Sequence, residues 1–469
     1  MINAIIVVFL PVKKVLLLNI PPVKNEYLYL NRLIDKTLLN WKNSNDRKPL
    51  LLRGTRQVGK SSAVRQLSKK FEYFVEINFE EQPEIHELFQ RNLTPDKLCE
   101  NISIFTGIPI VSGQTLLFFD EIQNCIPAIS SLRFFYEQMP ELHLIAAGSL
   151  LEFAINELPS YGVGRVRSVF MYPFSFDEFL LAFKEESLLQ LKLNAHYDYP
   201  LPDIFHNKLL DYLRKFLILG GMPEVVSKYI QNKRIDEIQN IIDDLLVSFK
   251  ADFSKYKKRV PSLQILEVFE SIAQQSGGKF VYKKASVEAG HKQIKEAVEL
   301  LIMSGLVIPV THTSANGIPL GAESDTKKRK LFIFDTGLFQ RICGLNLSQI
   351  IVETDFNSIN KGAIAEQFVG LEFLKYTDPL QQKSLYYWHR ETASSNAEVD
   401  FLIQNQTDII PIEVKSSGKG SMQSMYQFLK EKNRSKGVRF SLENFSKVNE
   451  IEIYPLYAVS SFTQNINNL

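Results

Sequence analysis

Eight consecutive residues restrict the fold of this chain more than any other stretch: Gly54-Thr55-Arg56-Gln57-Val58-Gly59-Lys60-Ser61. They fill every fixed position of the spacing G-x-x-x-x-G-K-[ST]. The apolar run Pro49 to Leu52 leads in and Ser61 to Leu67 leads out, so a strand passes through a glycine loop into a helix. Glycines let such a loop close tightly with its N–H groups turned inward, and the helix N-terminus adds partial positive charge. The result is a cradle for phosphate oxygens. The spacing predicts that the backbone from Gly54 to Ser62 wraps the phosphates of ATP. Lys60 is expected to meet the β- and γ-phosphates and the Ser61 hydroxyl to ligate Mg²⁺.

A second stretch fits the first. Thr115-Leu116-Leu117-Phe118-Phe119-Asp120-Glu121 is an apolar run ending in two acids, which reads as a buried parallel strand delivering carboxylates to its C-terminal edge. Ligands bind at that edge in open α/β sheets. Asp120 is expected to hold Mg²⁺ through water and Glu121 to polarise an attacking water.

Strands read at 73–79 and 142–149 alternate with helices at 95–105 and 128–138, the pattern of a doubly wound parallel sheet. With 469 residues, the length suggests about three domains. The chain is 45% hydrophobic and 23% charged, enough for real cores, and its net charge of +2 gives no global attraction to nucleic acid. Cys99, Cys125 and Cys343 are widely spaced without a C-x-x-C pair, which argues against a disulfide framework or a structural zinc and suits a reducing cytoplasm. The apolar run Ala4 to Leu10 is too short to cross a bilayer and lacks the flanks of a signal peptide. Residues 1–25 therefore read as a loosely tied N-terminal extension, and no membrane association is expected.

Gly54 to Lys60, Phe118-Phe119-Asp120-Glu121-Ile122-Gln123 and Ala147-Gly148-Ser149 resemble the AAA+-related prokaryotic ATPases that carry a C-terminal nuclease-like domain. Tyr172-Pro173-Phe174-Ser175-Phe176-Asp177-Glu178-Phe179 and Gly220-Gly221-Met222-Pro223-Glu224 fit the same resemblance, which runs from about residue 27 nearly to the end. It implies that Ser149 is a sensor of the γ-phosphate or of the attacking water. It also implies that Arg165 or Arg167 acts on the nucleotide of a neighbouring copy, so self-association is expected. For a second sensor arginine, Arg214 is the one candidate.

The α/β ATPase unit is expected over residues 26–195, followed by a helical connector over 196–255. Helices at 263–274 and 291–304, then strands at 306–310 and 330–335, suggest a winged-helix module over 256–345. Lys283, Lys284, Lys292, Lys295 and the run Lys327-Lys328-Arg329-Lys330 make DNA its expected partner, against the plainer reading of solvated lysines on a packing module.

Residues 346–469 form the last unit, with a helix at 363–376, strands at 385–391, 398–403 and 409–415, a helix at 422–432 and a strand at 438–441. This order, with Asp400 and Glu413-x-Lys415, resembles the core of the PD-(D/E)xK nuclease superfamily. Glu413 and Lys415 share a strand face. A hairpin turning about Gln406–Thr407 pairs residues whose numbers sum to 813, which sets Asp400 opposite Glu413. Opposed residues have Cβ atoms ~4.5–5.5 Å apart, close enough for two carboxylates to share Mg²⁺ or Mn²⁺. Glu366 is a further candidate ligand, Glu398 lies on the Asp400 face, and Lys415 is placed to orient water or a phosphate. Three functions follow as expectations: an ATP-hydrolysing switch coupled to a DNA-binding, nuclease-like module; a metal-dependent nuclease gated by ATP; or a non-catalytic scaffold.

Overall fold

The computed structural model describes residues 29–91, 93–158, 162, 164–256, 260–347, 361–391, 397–416 and 422–467. The N-terminal extension and the basic residues Lys257-Lys258-Arg259 lie outside them. The first sheet is parallel throughout: β1 (Leu50–Arg53), β2 (Tyr73–Asn78), β3 (Thr115–Asp120), β4 (His143–Ala147) and β5 (Arg167–Phe170), in the order β2-β3-β4-β1-β5. Side chains alternate between two apolar layers, as the period of a strand requires. Leu50, Leu52, Leu116, Phe118 and Ile145 face one layer; Leu51, Leu117, Phe119 and Leu144 face the other. The order of the strands places β1, and the loop that follows it, between β4 and β5.

The layer holding Leu52 and Phe118 does not stop at the sheet. It continues through Leu213, Phe249, Phe269 and Leu301 to Phe368, Phe401 and Phe440. Between 203 and 252 the chain forms helices Asp203–Leu219, Pro223–Asn232 and Ile235–Asp252, the first two parted at Gly220-Gly221. Helices Ser262–Gln274 and His291–Met303 precede the hairpin of β6 (Val307–Thr313) and β7 (Ser324–Ile333).

That hairpin belongs to a larger sheet. With β8 (Leu385–His389), β9 (Glu398–Asn405), β10 (Asp408–Val414), β11 (Gly437–Ser441), β12 (Ser446–Val448) and β13 (Ile451–Pro455), it forms eight strands in the order β12-β13-β11-β10-β9-β8-β6-β7. β6 pairs with β8 in parallel, from Val310 opposite Leu385 to His312 opposite Tyr387. The edge of the expected wing is thus taken up by the C-terminal sheet. The β9–β10 pairs run from Asp408 opposite Asn405 to Ile412 opposite Phe401, and each sums to 813 as expected. The last strands and the helix Val459–Asn467 extend beyond the elements read from the sequence. Among the described residues, no helix is long and apolar enough to cross a membrane.

Candidate functional site

The glycine loop lies between β1 and the helix Lys60–Ser68. Gly54 has φ +147°, and a Cβ there would stand 2.2 Å from the Met171 carbonyl oxygen, so only glycine lets the loop pass β5. The cleft in front holds about 370 Å³ and is lined by loop residues Arg56, Gln57 and Gly59 to Ser62, by Glu121, and by Pro223 and Glu224 opposite. Lys60 is buried, and its ammonium donates to the carbonyls of Gly54 (2.7 Å) and Thr55 (2.9 Å). Burial pushes its pKa down to about 8, with Glu121 and Asp120 opposing.

The Ser61 hydroxyl donates to Asp120 Oδ2 at 2.7 Å. Two hard oxygen donors on one spot suit Mg²⁺. Burial raises the Asp120 carboxyl above the usual range and the Ser61 bond opposes it. Glu121 takes a left-handed backbone (φ 48°) just past β3, and its carboxylate accepts from Gln123 Nε2 (2.5 Å) and the Ser149 hydroxyl (3.2 Å). The strand-end acids and the expected sensor serine therefore converge on one edge.

The arginines do not join them. Arg165 is half-exposed and paired with Glu137. Arg167 opens β5 opposite Leu50, at the end of the sheet away from the loop. Neither side chain lines this chain's own cleft, and nor does Arg214 on the helix Asp203–Leu219.

The sequence reading missed what grips the loop from outside. Arg32 is buried, donates to the Val58 carbonyl (2.9 Å) and the Tyr172 carbonyl (2.7 Å), pairs with Glu178 (3.0 Å) and stacks over Phe174. Glu178 also closes a capping box with Ser175, which accounts for the Ser-x-x-Glu inside the Tyr172–Phe179 stretch. That stretch meets the C-terminal unit: Phe176 N–H donates to Glu372 (2.9 Å) and Lys375 to the Phe174 carbonyl (2.9 Å). Thr55 donates to the Gly305 carbonyl at 3.1 Å, and Arg56 grips both Asp252 oxygens at 3.0 and 3.2 Å. A Cβ on Gly305, whose φ is +76°, would stand 2.7 Å from Thr55 Oγ1.

The C-terminal candidates also meet, around an unexpected partner. Lys330 of β7, expected to face DNA, is fully buried. Its ammonium lies 2.7 Å from Glu366, 2.5 Å from Glu398 and 3.5 Å from Asp400. The other Asp400 oxygen accepts from Val414 N–H at 2.8 Å. Glu413 pairs with Lys415 through one oxygen, while its second is buried without a partner. Burial, with the nearby Asp400 and Glu398 charges, lifts the Glu366 pKa to about 7 and Lys330 opposes the rise; burial and Asp400 raise that of Glu413. The same carboxylates keep Lys330 firmly charged. The expectation for the run at 327–330 is corrected in part: Lys327 is exposed, but Lys328 pairs with Glu391, and Arg329 is buried and pairs with Glu299 at 2.8 Å. Lys283, Lys284, Lys292 and Lys295 are exposed.

Comparison with known proteins places these parts. Residues 46–180 match an AAA domain family, AAA_14. Residues 210–349 and 361–459 match two domains of unknown function, DUF8612 and DUF4143. No curated protein matches the chain. Among solved structures, Orc1 of Aeropyrum pernix in complex with DNA is similar at 12% identity and a TM-score of 0.28, over 70% of this chain and 97% of that one. A STAND-type signal transduction ATPase with a tetratricopeptide repeat sensor from Pyrococcus horikoshii is similar at 12% identity and a TM-score of 0.25, over 74% of this chain and 47% of that one. The chain thus carries an AAA-type P-loop ATPase domain, and the units that follow it have no function assigned by their families.

Proposed function

We propose that this protein is an ATP-hydrolysing switch whose phosphate loop reports its state to the rest of the chain. One observation carries the reading: three neighbouring loop residues are each bonded to a different outside element. Thr55 holds Gly305, Arg56 holds Asp252, and Val58 holds Arg32, which leads through Glu178 to the segment that Lys375 and Glu372 grip. Bound Mg²⁺-ATP supplies the phosphoryl group and the negative charge that the loop N–H groups and Lys60 balance. Lys60 must leave the Gly54 and Thr55 carbonyls to reach a phosphate, and Arg56 must choose between phosphate and Asp252. Glu121 orients water, with Ser149 and Gln123 fixing its carboxylate. Lys60→Ala is expected to abolish ATP binding, and Glu121→Gln to keep binding but stop turnover. A non-hydrolysable ATP analogue should change amide exchange around residues 245–255 and 301–307. Exchange changes confined to the loop would sink the switch.

A second reading, a metal-dependent nuclease, draws on Asp400, Glu413 and Lys415 sharing one face. Four carboxylates of oxygen chemistry fit a divalent cation, yet the Lys330 ammonium takes the cation's place among them. This supports the non-catalytic or gated form of the C-terminal unit. Mn²⁺ should leave the melting temperature of the wild-type C-terminal sheet unchanged and raise it in Lys330→Met. Mn²⁺-dependent DNA cleavage by the wild type would favour an active centre instead. DNA contact itself rests on the exposed lysines of the helix His291–Met303 and the turn before it.

A further inference from the structure

Beside the acidic centre, β6 and β8 bring together groups that neither reading uses. His312 is buried on β6, and His389 ends β8 two residues past Tyr387, its cross-strand partner. The two imidazoles stack with centroids 4.2 Å apart and planes 18° apart. Glu391 closes the group, its Oε1 lying 3.2 Å from His312 Nε2. One ligating atom from each of the three residues falls within 4.8 Å of the others, the one such cluster of His, Cys, Asp and Glu found among the described residues.

The hydrogen bonds leave these rings ready for a Lewis acid. His389 Nδ1 faces the Arg390 carbonyl at 3.3 Å and donates to it, so the proton sits on Nδ1 and Nε2 carries a lone pair. That Nε2 is buried without a partner, and so is Nδ1 of His312, whose Nε2 donates to Glu391, so His312 would ligate through Nδ1 once Glu391 leaves Nε2. A backbone carbonyl fixing one nitrogen while the other ligates is the usual support of a metal-bound histidine. Two orphaned nitrogens in the same cluster are costly unless a ligand satisfies them.

We propose that His312, His389 and Glu391 bind one Zn²⁺-class cation. Two imidazole nitrogens and one carboxylate oxygen suit zinc over Mg²⁺ or Ca²⁺, and three protein ligands leave a fourth position for water or an anionic oxygen. Zinc bonds of ~2.0–2.1 Å in the plane of each imidazole require the two rings to turn out of their near-parallel stack and the exposed Glu391 side chain to swing in. Lys328 now pairs with Glu391 and must release it. It therefore competes with the cation.

The test uses the full chain, stripped with chelator and titrated with ZnSO₄ by calorimetry, with bound zinc counted by mass spectrometry. One zinc per chain is expected, unaffected by excess Mg²⁺. His312→Gln and His389→Gln should each weaken binding at least ~tenfold, and Lys328→Met should tighten it. ATP binding at the glycine loop reports that each variant is folded. Absence of binding, or wild-type affinity in both histidine variants, overturns the site. If the variants do not fold, zinc-edge absorption of the loaded wild type decides, because a spectrum without imidazole scattering also overturns it.

Discussion

The Lys330 ammonium lies 2.7 Å from Glu366 Oε1, with both side chains buried, and it reaches Glu398 and Asp400 as well. An internal lysine therefore neutralises the carboxylates that the sequence suggests for a metal. Removing one partner of a buried ionic group leaves charge without compensation, which costs about 3–5 kcal/mol. Lys330→Met should lower the unfolding free energy read from urea denaturation by that amount at neutral pH, with a matching fall in the midpoint. Lys330→Met combined with Glu366→Gln should lose less than Lys330→Met alone. An unchanged midpoint in the single variant would show that the cluster is solvated in solution.

ATP affinity should depend on pH through Lys60. Its pKa is held down to about 8 by burial, and phosphate charge raises it when ATP binds. A group whose pKa rises on binding favours binding in full below the lower value, and that help is lost progressively as pH climbs from the lower value towards the raised one. Affinity measured by calorimetry should be flat from pH 6.5 to 7.5 and fall above about pH 8. A constant affinity to pH 9.5 would mean that Lys60 is not the group gaining charge stabilisation.

Asp252 competes with phosphate for Arg56. The pair is partly exposed on the arginine side, with 33% of that side chain accessible, so screening limits its worth. Asp252→Ala should tighten ATP binding by up to about tenfold, a coupling of the size double-mutant cycles resolve. In an Arg56→Ala background the same change should have no effect. Weaker binding in Asp252→Ala alone would reverse the assignment.

Arg165 and Arg167 can serve only a neighbour's nucleotide if they serve one at all, because neither lines its own chain's cleft. ATPase activity per chain should then rise with protein concentration. Mixing Arg167→Ala, or Arg165→Ala, with Lys60→Ala should recover part of the lost rate, since one kind of mixed interface keeps both an intact loop and an intact arginine. A rate independent of concentration, without recovery on mixing, argues for surface arginines that hold Glu137 and the β5 edge.

What the sequence reveals depends on how local each relationship is. The loop from Gly54 to Ser61 is legible because phosphate recognition fixes residue types at a fixed spacing. The β9–β10 register is legible because a short turn and a period of two leave one solution. Arg32 and Lys330 are not. Arg32 meets Glu178 across 146 positions, and Lys330 meets Glu366 across 36 and Asp400 across 70. Nothing near either residue signals its partner. Basic neighbours make Lys330 look solvent-facing, but Glu366 of the helix Lys361–Lys375, Glu398 and Asp400 of β9 and the Tyr387 ring of β8 enclose it. His312 and His389 are hidden in the same way, on strands joined by the β6–β8 pairing.

That pairing has a consequence for cutting the chain. Three consecutive registers join β6 to β8, and the apolar layer around Phe332, Phe368 and Phe401 straddles the same seam. A nick between residues 348 and 360 would therefore leave two polypeptides that remain clasped, in the manner of a split reporter. Co-expressed as separate chains, residues 1–350 and 351–469 should copurify and bind ATP together. Residues 351–469 alone would present the bare edge of β8, and with it a tendency to seek another strand.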